Sequence, residues 1–129
     1  MITLDVAQVI HLHGLLIERT GGTDGLRDEG ILELAIFHAY ATFERKDLYP
    51  TIEEKIARQM FSLISNHAFV DGNKRISAFV MLVLLDMNGI VIRYTQQELI
   101  DLAVGTAEGR INAEQIIQWI EAHKEDNKR

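Results

Sequence analysis

His67-Ala68-Phe69-Val70-Asp71-Gly72-Asn73-Lys74-Arg75 packs an imidazole, a carboxylate, a glycine, an amide and two cations into nine residues, and no other stretch of the chain is comparable. It stands between two apolar runs with helical spacing. Ile52, Ile56, Met60 and Leu63 line one face before it, with His67 on the same face, and an apolar run from Ile76 to Leu85 follows it. The stretch therefore reads as a turn between two helices, with Gly72 free to take positive φ and to let a ligand approach the backbone. The N–H groups from Gly72 to Lys74 then face outward at the positive end of the following helix dipole, a geometry that favours an anion.

The side chains agree with that expectation. Arg75, in the first turn, can fork onto two phosphate oxygens. Asp71 is a hard oxygen ligand suited to Mg²⁺, and one carboxylate is enough where the ligand itself brings phosphates. His67 offers an imidazole, which ordinarily titrates at about pH 6.5 and can take a proton from an attacking hydroxyl. Base, metal ligand and anion site together suit a nucleoside triphosphate. On residue types alone a second reading stands beside this one: a histidine ending an apolar face is packed and hydrogen-bonded, and first-turn cations are solvated.

Working outward, Thr3 is placed to cap a first helix over about residues 4 to 19, ended by Gly21-Gly22. Asp28 precedes a broad apolar stripe, Ile31, Leu32, Leu34, Ala35, Ile36 and Ala39, which predicts a second helix over about 29 to 43. Thr51-Ile-Glu-Glu54 is a capping box for the third helix, and the fourth runs from Asn73 or Lys74 to Asn88, with Gly89 ending it. Its middle is apolar all round, which puts it at the centre of the fold. Thr95-Gln-Gln-Glu98 is another capping box, and Asn112 caps a last helix carrying Ile116, Ile117, Trp119 and Ile120.

Length and composition bound the rest. With 129 residues, 47% of them hydrophobic, the chain reads as a single domain over 1–129 with 124–129 as a frayed tail. The absence of cysteine removes thiolate catalysis, zinc-thiolate sites and disulfides, and agrees with a reducing cytoplasm. The opening MITLDVAQVI has no basic region or small-residue cleavage pattern, so it reads as a helix start and not an export signal. A net charge of −6 argues against nucleic-acid binding, which needs clustered cations. The longest apolar run falls well short of the roughly 20 residues of a membrane span. No P-loop, GxSxG elbow or HExxH helix occurs.

Other candidates read as structural. His11 and His13 are two apart and share no helix face, so they read as ordinary helix residues. His38 and His123 have no paired ligands in sequence, and Trp119 belongs to an apolar face with no interleaved cations. Arg27-Asp28 reads as a cap and ion pair.

The nonapeptide resembles the signature of the Fic/Doc family, HxFx(D/E)(G/A)N(G/K)R, and GGTDGLRDEGILELAI at 21–36, DLYPTIEEKIA at 47–57 and AVGTAEGRINAEQIIQWI at 103–120 resemble the short Doc-type, death-on-curing branch. The resemblance implies an all-α, compact bundle of about six helices with at most a short β-like flap around Glu44 to Tyr49 that docks a target segment. It implies His67 as the catalytic base, Asp71 on Mg²⁺, Gly72, Asn73 and Lys74 as the anion-binding loop for ATP, Arg75 on a phosphate and Phe69 as the loop's anchor in the core. Lys74 stands where the AMP-transferring branch usually has Gly, and Ala78 where that branch has a second Arg. Both departures point to the Doc toxins, whose resemblance implies γ-phosphate transfer to a Ser or Thr hydroxyl of elongation factor Tu, whereas Gly72 matches the AMP-transferring branch. The alternatives are AMP transfer on the same fold and a catalytically inactive binding module. No Ser or Thr is followed four residues later by Glu and then Gly or Asn, the pattern of self-restraining relatives. That implies control in trans by a Phd-like antitoxin.

Overall fold

The computed structural model describes residues 1–125. Among them are α1 Val6–Thr20, α2 Glu29–Phe37, β1 Thr42–Phe43, β2 Lys46–Asp47, α3 Ile52–Asn66, α4 Asn73–Met87, α5 Gln96–Ala107 and α6 Ala113–His123. The architecture is the expected helical bundle with one small hairpin. α3 lies at its centre against α2, α4, α5 and α6. Its buried Ile56, Met60, Leu63 and Ile64 meet Leu32 and Ile36 of α2, Ile76, Met81, Leu84 and Leu85 of α4, and Ile116 and Ile120 of α6 in one core. Each such side chain contributes roughly 1.5–3 kcal/mol on burial, which holds the α3–α4 pair that carries the nonapeptide between them. α4 has α1 and α5 on its other sides, so it too is central.

Two helix boundaries differ from the sequence reading. α1 starts at Val6 because Asp5, not Thr3, caps it: Asp5 Oδ1 accepts from Gln8 N at 2.8 Å, and Gln8 Oε1 accepts from Asp5 N at 2.8 Å. This reciprocal pair satisfies two backbone donors, which a lone Thr cannot do. The helix expected to reach residue 43 ends at Phe37, tightens into a 3-10 turn over His38–Tyr40, and gives way to the antiparallel hairpin β1–β2. Glu44 and Arg45 make its turn at φ 50° and 67°, conformations that Asn-Gly ordinarily supplies, so the sequence carried no hairpin signal there. Lys55 anchors the hairpin from α3, its ammonium donating to Asp47 Oδ2 at 3.2 Å and to the Tyr49 carbonyl at 2.5 Å.

Of the tail expected to fray, Lys124 and Glu125 are held. Glu125 N donates to Val91 O at 2.8 Å, Arg93 N donates to His123 O at 2.8 Å, and the Lys124 ammonium meets Glu53 and Glu121. Residues 126–129 lie outside the described part of the chain. Within the described residues no helix is long and apolar enough to cross a membrane.

Candidate active site

α3 terminates at His67, which takes the left-handed conformation with φ 49° and ψ 52°. That turn lifts the imidazole off the apolar face that the sequence spacing extended to it and leaves the residue exposed. Among the described residues the ring has no hydrogen-bond partner, so the packed, bonded histidine of the alternative reading is not what forms. After it the chain is zipped against the segment before α2. Ala68 O accepts from Arg27 N at 2.8 Å and Asp28 N at 3.1 Å, and Val70 N donates to Gly25 O at 3.0 Å. Phe69 is buried in the core.

Asn73 closes the loop from the other end. Its Oδ1 accepts from Phe69 N at 3.1 Å and its Nδ2 donates to Phe69 O at 3.0 Å, so the side-chain amide is committed to the loop and only its backbone N–H faces a ligand. Asp28 caps α2 as expected, accepting from Ile31 N at 3.1 Å. Arg27 does not pair with it: the guanidinium reaches the Asn66 carbonyl at 3.4 Å instead.

The start of α4 differs from every other α-helix start described. Asp5, Asp28, Thr51, Thr95 and Asn112 each cap their helix with a side-chain oxygen, whereas α4 has Gly72 at φ 76° and no side-chain cap. Its first backbone bond is Ile76 N to Gly72 O at 2.8 Å. Among the described residues the N–H groups of Asn73, Lys74 and Arg75 therefore have no acceptor in the protein. Such orphan donors at a dipole's positive end form an anion site.

Asp71 stands beside them. Its Oδ2 accepts from Thr23 N at 3.1 Å and its Oδ1 from Gly72 N at 2.8 Å, with Arg75 Nη2 3.7 Å away. These bonds, that from Thr23 first and that from Gly72 next, hold its carboxyl below the usual carboxylate range, so it is ionised at neutral pH. Each oxygen keeps a lone pair for a cation, and the side chain is about half exposed. Arg75 is aimed by α1: Nη1 donates to Thr20 Oγ1 at 2.5 Å and to the Gly21 carbonyl at 2.8 Å.

His67, Asp71, Gly72, Asn73, Lys74 and Arg75, the residues singled out in the sequence, line one cleft of about 340 Å³ together with Val70 and Ala107. Lys74 and Arg75 also border a neighbouring groove of about 470 Å³ whose walls are mainly apolar, among them Leu16, Ala78, Phe79, Leu82, Leu99 and Ile100. The sequence reading missed the contribution of α1 and the loop after it: Thr20, Gly21, Gly22, Thr23 and His13. A signal for His13 was present, since Val9, His13 and Ile17 recur at four-residue spacing as the buried stripe of α1. A histidine on such a stripe needs polar partners.

Residues 3–85 match the model of the Fic/DOC family. The protein named Toxin Doc from Mycolicibacterium smegmatis is 37% identical over 92 residues, 71% of this chain and 66% of its own length, so the chain spans just under two thirds of that relative. The protein named Protein kinase doc from Escherichia phage P1 is 31% identical over 109 residues, covering 84% of this chain and 85% of that relative.

Proposed function

The chain belongs to the Fic/DOC family, and from that premise we propose that it is a Doc-like toxin that transfers the γ-phosphate of ATP to a serine or threonine hydroxyl of a target protein. The observation that carries this reading is the uncapped start of α4, whose unpaired N–H groups share a cleft with an exposed imidazole and an ionised carboxylate. His67 takes the proton of the acceptor hydroxyl. The hydroxyl oxygen attacks the γ-phosphorus in line, the bond to the bridging oxygen breaks, and ADP leaves. The N–H groups of Asn73, Lys74 and Arg75 receive the oxygens of the moving group, and the guanidinium of Arg75 adds charge at its edge. Mg²⁺, held by the Asp71 carboxylate, would neutralise phosphate charge.

Two features favour the γ-phosphate over the α-phosphate. Lys74 adds a long cation beside the anion site. Ala78 lines the apolar groove, so position 78 supplies no second guanidinium, beside that of Arg75, to grip the far phosphates of a nucleotide bound with its α-phosphate at the site. Gly72, which matches the AMP-transferring branch, has a local explanation: a Cβ there would lie 3.0 Å from Ile17 Cδ1, at a positive φ that side chains avoid. It is therefore no argument for AMP transfer.

The partners follow the same reading. The hairpin around Glu44 to Tyr49 docks the target, elongation factor Tu, and the apolar groove suits an amphipathic helix from the tail of a Phd-like antitoxin. Incubation of the purified chain with elongation factor Tu and Mg·ATP, with and without such an antitoxin, tests this. The expected product is elongation factor Tu phosphorylated on Ser or Thr, and the antitoxin suppresses it. An unmodified factor in a preparation that phosphorylates other extract proteins would sink the target assignment, and no transfer to any protein would leave the inactive binding module in its place.

A further inference from the structure

His13 takes no part in the reaction described above, yet it is only 1% exposed and sits directly beneath the site. Its imidazole lies flat on Phe69, ring centroids 3.8 Å apart and planes 13° from parallel. Its Nε2 is 2.7 Å from the carbonyl oxygen of Asp71. A carbonyl only accepts, so Nε2 carries the hydrogen and donates it. On the opposite edge Nδ1 faces the Asp24 carboxylate at 3.5 Å. One ring thus holds both ends of the segment Phe69 to Asp71, the first by stacking and the second by a hydrogen bond.

Resting on the reaction proposed above, we infer that His13 is a positioning residue that sets which way the Asp71–Gly72 peptide faces. In a trans peptide the C=O and N–H point in opposite directions. With the carbonyl drawn toward α1, the Gly72 N–H is turned outward, where it donates to Asp71 Oδ1 at 2.8 Å. Gly72 has no Cβ to bar rotation of that peptide, so the orientation depends on the bond from His13. A reversed peptide would aim a carbonyl oxygen at the phosphate site and strip Asp71 of one of the two bonds that orient its carboxylate. An oxygen with partial negative charge beside a bound anion opposes what the start of α4 supplies. The ring also borders Gly72 closely, since a Cβ there would lie 3.5 Å from His13 Nε2.

Three variants of the full chain separate the donor from the packing. His13→Phe keeps a ring on Phe69 and removes the donor, His13→Gln returns a side-chain N–H without the ring, and His13→Ala removes both. The readouts are kcat and KM for ATP in phosphotransfer to protein, thermal unfolding, and the Gly72 amide resonance without nucleotide. We expect His13→Phe to lose roughly 10- to 100-fold in kcat/KM, the usual cost of removing a hydrogen-bond donor that orients a ligand-holding residue, with its unfolding temperature close to the parent's. His13→Gln should recover most of that loss relative to His13→Ala, and the Gly72 amide should move in His13→Phe and return in His13→Gln. Full activity and an unmoved amide in His13→Phe would overturn the inference. If His13→Phe does not fold, recovery by His13→Gln over His13→Ala supports the inference and equality of the two overturns it. The amide shift needs no catalysis, so a chain that transfers no phosphate but shows the shift loses the reaction and keeps the positioning role.

Discussion

Replacing His67 by alanine should lower phosphotransfer roughly 10²- to 10⁴-fold, the range general-base catalysis supplies, while the folded chain survives. The imidazole is exposed and bonds to no described residue, so its removal takes nothing from the core. What the position does ask for is a left-handed backbone at φ 49°, where alanine is strained by about 1–2 kcal/mol. His67→Asn separates the two demands, because asparagine tolerates that conformation and is no base. It should be as inactive as His67→Ala and nearer the parent in thermal unfolding. Steady-state phosphotransfer beside a melting curve checks both, and substantial activity in either variant would remove His67 from its role.

The second large effect is expected at Gly22. Its φ is 112°, and a Cβ there would lie 2.6 Å from Asp71 Oδ2 and 3.0 Å from Arg75 Nη2. Real atoms do not approach so closely, so in Gly22→Ala either the loop lifts and takes the Thr23 N–H away from Asp71, or Asp71 and Arg75 leave their places. Either route displaces the carboxylate and guanidinium together, and misplacement of about 1 Å at a reacting centre is worth roughly 10² in rate. Backbone strain adds a loss of about 1–3 kcal/mol in stability. Gly21→Ala is the matched control: it too has positive φ, 86°, but its Cβ would meet nothing within 4 Å. It should share the strain and keep most of the activity, and equal inactivation of the two would show that strain alone is responsible.

The helices were legible because their signals are local. Caps at Asp28, Thr51, Thr95 and Asn112 and the apolar runs between them mark α2, α3, α5 and α6, and each of these caps forms. The hairpin was legible only through the resemblance, which implied a short flap around Glu44 to Tyr49; the residues themselves gave no turn signal, because Glu44 and Arg45 take positive φ without Asn or Gly in a hairpin that Lys55 anchors at Asp47 and Tyr49. The convergence of the nonapeptide was legible for a similar reason: nine consecutive residues between two helices have little choice but to share a cleft. The half of the site that comes from α1 was missed, since Thr20 and Arg75 lie 55 residues apart in sequence and His13 and Asp71 lie 58 apart, and the stripe that marks His13 as buried does not name its partner. Sequence spacing also misplaced His67, because helical periodicity cannot say where the chain leaves the helix; the left-handed turn decides that and exposes the ring.

The most direct measurement follows the label from ATP. Purified chain and a cytosolic extract are incubated with ATP labelled at the α or at the γ position, beside a His67→Ala control, and labelled protein is resolved. Label from the γ position alone, absent with His67→Ala, is the result that γ-phosphate transfer predicts. Transfer of α label that depends on His67 would contradict it and assign AMP transfer to the same cleft.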